Sequence, residues 1–297
     1  MRLLPCAVWF AAAFVAVGAL GAARAQGRPT APVALGAPAD AALLAPDPAV
    51  RYGRLPNGLR YAVQQSVTPK GALSLRLGFD VGSYDEADEE RGAAHFIQHM
   101  AFSGTRSFPD NQLALTFAPL GVAFGRDRNA STGFGQTIYQ LDLTTTTAHE
   151  ADLAMKWLRD VADGMVFAGP AIERERAAIQ TERNAHTNSF GQLRDRIEAF
   201  EDTGLRSHAR LPLGTPESAA GLTPQKLKAF YDRWYRPENA VLVLVGDLPV
   251  EALEQQVRAT FADWTPQGPA AARASRAPPA PRGPDVQMQT DPRVAAV

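Results

Sequence analysis

The chain has 297 residues, with 30 basic and 31 acidic side chains and a formal charge of −1. That balance gives no electrostatic reason to expect nucleic acid or an anionic membrane surface as partner. At 45% hydrophobic residues the chain can bury a sizeable core.

Met1-Arg2 forms a short basic start, LLPCAVWFAAAFVAVGAL follows as an apolar stretch, and Ala23-Arg24-Ala25 precedes Gln26 as an A-x-A cleavage site. This reads as a secretory signal peptide over 1–25, so no stable membrane anchor is expected after cleavage and the protein is expected to be periplasmic or secreted. The single cysteine, Cys6, lies inside that signal. The mature chain is then expected to have no thiol for disulfides or metal ligation. Residues 26–48 are rich in Ala and Pro and read as a flexible lead-in. The folded domain is expected over 49–265. Residues 266–297 begin as a Pro-, Ala- and Arg-rich linker and end in VQMQTDPRVAAV, which has the character of a truncated next segment.

Within the domain, Asn57-Gly58 is a strong turn signal before the alternating segment 59–65, and 72–79 alternates likewise, as half-buried strands do. A helix is expected from near Glu89 to Phe102 and another over 110–119. TIYQLDL (137–143) reads as a strand. Residues 148–163 and 171–201 read as helices, the second opened by Pro170. Thr223-Pro224 caps a helix to about Tyr235. AVLVLVGD (240–247) is a continuous apolar run, hence a buried strand, and Pro249 starts a last helix. The mixture is an α+β fold with one principal sheet.

Residues 95–99 read HFIQH. His95 and His99 at i and i+4 share one face of a helix, a spacing at which two imidazoles can bind one metal ion. Zinc is the first choice, because it takes nitrogen and carboxylate ligands tetrahedrally. In ERERAAIQTER (173–183), Glu175 and Glu182 are seven apart and so lie two turns apart on one face. One carboxylate can reach the metal while the other supports the site. An HxxxH pair on its own is common on helices, and acidic residues on exposed helix faces are commoner still.

The surroundings are more specific. RGAAHFIQHMAFSGT (91–105) resembles the inverted zinc motif HxxEH of the M16 peptidases, the insulinase and pitrilysin family. The segments RYGRLPNGLRYAV, VGSYDE (81–86), RNASTGFGQTIYQLDL (128–143), LPLGTPES (211–218) and FYDRWYRPENAVLVLVGD (230–247) agree in order and spacing. The resemblance covers nearly all of 50–265. It implies an M16 N-terminal domain with one mainly antiparallel mixed sheet packed with helices, and one zinc per chain. It makes His95, His99 and Glu182 the ligands and Glu175 the supporting acid, and it places Asn129 and Ala130 on a strand that holds substrate backbone.

Gln98 departs from the motif, because the family has a glutamate there as general base. An amide has no proton-accepting capacity near pH 7. The family also joins two such domains or pairs two chains, the second closing over an extended peptide. The resemblance therefore implies a peptide substrate or ligand, a possible second M16-type domain or subunit, and impaired hydrolysis. The alternative it leaves open is a non-catalytic zinc- or peptide-binding homologue, or the partner subunit of an active peptidase.

Overall fold

The computed structural model describes residues 46–186 and 189–274, with Gly283, Asp285, Val286 and Met288 beyond them. The signal-peptide reading of 1–25, nearly all of the lead-in and the tail VQMQTDPRVAAV, apart from isolated positions, lie outside the described residues.

Among the described residues, six strands form one sheet: β1 Val50–Arg54, β2 Arg60–Gln65, β3 Leu73–Phe79, β4 Arg128–Thr132, β5 Thr137–Leu143 and β6 Ala240–Gly246. Their order is β1-β2-β6-β3-β5-β4. Only the β2–β6 pair is parallel; the other four are antiparallel. The expected α+β class and mainly antiparallel mixed sheet are therefore what is seen. β3, β5 and β6 alternate fully buried with half-buried positions along their length. The buried set includes Leu73, Leu75, Leu77, Phe79, Leu242 and Leu244. Against that face lie α1 Ala93–Ser103, α3 Ala148–Asp163 and α8 Val250–Phe261. They bring Phe96, Ile97, Trp157, Leu158, Val257 and Phe261 into one continuous core. β4 and β1 are the two edges.

The remaining helices are α2 Gln112–Phe117, α4 Gly169–His186, α5 Ser189–Glu201, α6 Pro216–Gly221 and α7 Pro224–Trp234. Thr223 caps α7 as expected, its side chain accepting from the Lys226 N–H. Three expected boundaries differ. The helix expected from Glu89 is a 3-10 turn at Asp88–Glu90, then a break, then α1. Gly92 causes the break: its φ of 91° lies in the left-handed region, where helix cannot propagate. The helix expected over 110–119 is six residues of α2 followed by a 3-10 turn at Ala118–Leu120. The span 171–201 holds two helices, α4 and α5, on either side of residues 187 and 188. β1 and α6 were not expected as elements.

α1 is buried on nearly all sides, with eight of its eleven residues inside. Its two ends are therefore satisfied by protein. At the start, Glu86 is 1% exposed and its two carboxyl oxygens accept from the N–H groups of Gly92 and Ala94, each at 3.0 Å. At the end, the Trp157 indole N–H donates to the Ala101 carbonyl at 3.1 Å. The buried Asp160 of α3 accepts from Thr105 Oγ1 at 2.9 Å and from the Ser107 N–H at 2.7 Å.

Burial pushes the Glu86 pKa up from 4.5 to about 8, against the opposing pull of the two N–H donors and of Arg210. A carboxyl with a folded pKa above its unfolded value favours the folded state most below pH 4.5. That contribution is lost as pH rises through about 8. The parent is expected to lose urea stability between pH 6 and pH 9, and Glu86→Gln to lose distinctly less over the same interval. Identical pH profiles for the two proteins would remove Glu86 as the source.

Candidate metal centre

α1 and α4 pack side by side and face each other with the four groups that matter. His95 and His99 stand one turn apart on α1, their ring centroids 4.7 Å apart and their planes at 80°. Glu182 reaches between them from α4: its Oε2 is 3.6 Å from His95 Nε2 and 3.5 Å from His99 Nε2. One ligand atom from each of the three lies within 4.8 Å of the others.

Glu175, two turns back along α4, sits on the other side of His99. Its Oε2 is 3.0 Å from His99 Nδ1, and its Oε1 accepts from the Ser103 hydroxyl. Burial raises the Glu175 pKa, but the hydrogen bonds from His99 and Ser103 outweigh it and leave the pKa lowered. An ionised Glu175 fixes the imidazole with Nδ1 as donor and leaves Nε2 turned toward Glu182. His95 is 8% exposed. Burial, His99 and Arg183 bring its pKa down to about 3, so its ring is neutral, the form that ligates metal.

Gln98 is equally buried and points into the same space, where its Oε1 accepts from the Thr132 hydroxyl at 3.2 Å. Thr132 belongs to β4, the edge strand that forms the opposite wall. Asn129 Nδ2 donates to the Gly125 carbonyl at 3.0 Å, and its Oδ1 accepts from the Ala130 N–H at 2.8 Å. The Ala130 N–H is thus directed to the free edge, away from β5.

All seven residues singled out from the sequence, His95, Gln98, His99, Asn129, Ala130, Glu175 and Glu182, line one open cleft of about 780 Å³. Three further contributors escaped the sequence reading. Ser103 follows His99 by four, the helical spacing that puts it beside Glu175. Thr132 and Arg128 lie at even steps from Ala130, the strand spacing that turns all three to one side.

α4 is held by a second pair in register with the first. Arg183 donates to the carbonyls of Leu213 at 2.6 Å and Gly214 at 3.3 Å. Arg176 donates to Leu222 at 2.9 Å and to Ala219. The segment so tethered also braces the start of α1. Ser218 Oγ donates to the Arg91 carbonyl at 2.7 Å, and a Cβ at Gly214 (φ 60°) would come within 2.5 Å of that same oxygen.

Comparison with known proteins agrees with this geometry. The family model described as insulinase (peptidase family M16) matches residues 61–210, and that of the peptidase M16 inactive domain matches 221–296. The probable zinc protease PqqL of Escherichia coli is 36% identical over 208 residues, which is 70% of this chain and 22% of that protein. The probable zinc protease PqqL of Haemophilus influenzae is 30% identical, over 74% of this chain and 24% of that protein. The chain therefore spans less than a quarter of the length of these curated relatives. The crystal structure of the first half of the periplasmic protease PqqL from Escherichia coli superimposes with a TM-score of 0.74 at 32% identity. The match covers 78% of this chain and 50% of that one. Among the described residues no helix is long and apolar enough to cross a membrane. The chain belongs to the insulinase family of peptidases, family M16.

Proposed function

We propose that this chain is an exported zinc-binding M16 domain that holds extended peptides along β4 and, with Gln98 in place of a carboxylate, hydrolyses them poorly. The observation that carries the reading is the convergence of His95 Nε2, His99 Nε2 and Glu182 Oε2 beside the free edge of a strand. The donor set fits zinc. Tetrahedral bonds of about 2.1 Å put ligand atoms about 3.4 Å apart. The separations to Glu182 Oε2 are 3.6 and 3.5 Å. Zinc held there would supply Lewis-acid polarisation of a carbonyl and activation of water.

The chain's own groups then divide the remaining work. Glu175 and Ser103 orient His99. An extended peptide adds to β4 by main-chain hydrogen bonds, its carbonyl replacing Asn129 Oδ1 at the Ala130 N–H. Gln98 stands beside the ligands and can hydrogen-bond, but it cannot take a proton. General acid–base catalysis is worth about 10²–10⁴-fold, so hydrolysis falls by that order while zinc binding is retained. A second M16-type domain or subunit is the expected partner that covers the peptide. The solved relative named a periplasmic protease supports export to the periplasm, in keeping with the signal at 1–25.

Three results are expected. Metal analysis after dialysis should give about one zinc per chain, and His95→Ala or His99→Ala should weaken zinc binding by at least about tenfold. Equal retention in these variants would remove the two histidines as ligands. Gln98→Glu, assayed on a quenched fluorescent peptide library with a C-terminal M16 half supplied, should raise turnover by about 10²–10⁴-fold at constant zinc content. Chelator-sensitive cleavage by the parent at an ordinary enzymatic rate would show that another group accepts the proton. No activation would favour the alternative of a non-catalytic peptide-binding homologue. Finally, Edman sequencing of exported protein should begin at Gln26; retention of Met1 in a membrane fraction would overturn cleavage.

A further inference from the structure

Arg128 opens β4 and is only 5% exposed, yet among the described residues its Nε and Nη1 have no hydrogen-bond partner. Of the three buried arginines among the described residues, the other two have carboxylates: Arg210 donates to Asp88 at 2.6 Å and Arg236 to Glu238 at 2.6 Å. The sequence R-D-R suggests Asp127 as a partner for Arg128. Asp127 is instead taken by Arg126, whose Nε and Nη2 donate at 2.8 and 2.7 Å. Successive strand residues face opposite ways, so Arg128 turns from its neighbour toward α1. There its guanidinium carbon lies 5.8 Å from the ring centres of both Phe102 and Phe124, and the side chain lines the cleft that holds His95 and His99. Burial lowers its pKa, and no neighbouring acid among the described residues opposes that.

A buried cation without a counter-charge costs free energy, and two aromatic faces offset only part of that cost. A purely packing role would be served by an apolar side chain without the penalty. We infer that Arg128 recognises a carboxylate of the bound peptide, so that the cleft selects peptides with an acidic group over their neutral counterparts. The inference rests on the peptide-binding reading above and adds its selectivity.

The position follows from the strand. Arg128, Ala130 and Thr132 face one side. At about 3.3 Å per residue, the Arg128 backbone lies about 13 Å along β4 from that of Thr132, the residue bonded to Gln98. The acid therefore belongs about four residues along the peptide from the position opposite Thr132. The effect should be absent at the adjacent positions, whose side chains face the other way.

The test is binding of fluorescent peptides to the purified, zinc-loaded chain by polarisation. One arm is a set of C-terminally amidated peptides carrying Glu at successive positions. The second is the matching Gln set, and the third is the Gln set with a free C-terminus, which separates an acidic side chain from a terminal carboxylate. The parent should bind one Glu peptide, or the free-terminus peptide, at least about tenfold more tightly than its neutral counterpart. Arg128→Met should bring that ratio to about one, and Arg128→Lys should keep part of it. Equal binding in all arms would overturn this inference and leave the peptide reading standing. No binding in any arm would overturn both. A preference that persists in Arg128→Met would also overturn it. So would a lower melting temperature for Arg128→Met with the parent's peptide ratio intact, which marks a packing role.

Discussion

A buried helix has no water to satisfy its first N–H groups, and α1 meets that constraint with a carboxyl group from the preceding loop. Glu86 accepts from Gly92, which immediately precedes α1, and from Ala94, the residue just before His95 in its first turn. The position of the first histidine is therefore set by a bond made one residue away. Gly92 supplies the left-handed step that lets the chain enter from the Asp88–Glu90 turn. At the far end, the Trp157 indole and the Asp160 carboxylate hold the exit from α1 against α3. The two histidines hang from a segment fixed at both ends, which is the preorganisation a metal site requires.

α4 solves the complementary problem with two interleaved pairs. Glu175 and Glu182 face α1, while Arg176 and Arg183, each one residue later, face the 213–222 segment. A one-residue slip of α4 would rotate the carboxylates about 100° from the histidines and break both sets of bonds together. The same 213–222 segment meets Arg91 just ahead of α1. The three elements thus share one junction, and the ligand spacing is a property of that junction rather than of either helix alone.

Much of this was legible in the sequence, for reasons that can be named. β3 and β5 alternate because one face is core, β6 is legible as a continuous apolar run, and α3 carries both a capping residue and a 3.6-residue apolar stripe. The histidine pair and the Glu175–Glu182 spacing are helical arithmetic, and the family motif supplied their roles. The start of α1 was misplaced because the acidic run 88–90 looks like a helix's first turn, whereas Gly92 resets the backbone after it. β1 was missed because VRYGR has no alternation and lies at an exposed edge. Arg128 could not be read at all: its meaning depends on which way Asp127 turns and on what does not lie nearby, and neither is local information.

The candidate ligands come from two places far apart in the chain, and that separation has a consequence for durability. A metal ion held by His99 and Glu182 would close a loop of roughly 80 residues, much as a covalent cross-link does, and would restrict the unfolded chain accordingly. The only cysteine in the sequence is Cys6, so no disulfide can take that part within 49–265. Because an ion that binds only the folded form stabilises it by mass action, resistance of the domain to unfolding and to attack by other proteases would become a function of free metal concentration. Scarcity of the ion would then shorten the lifetime of the protein, and its abundance would follow metal supply.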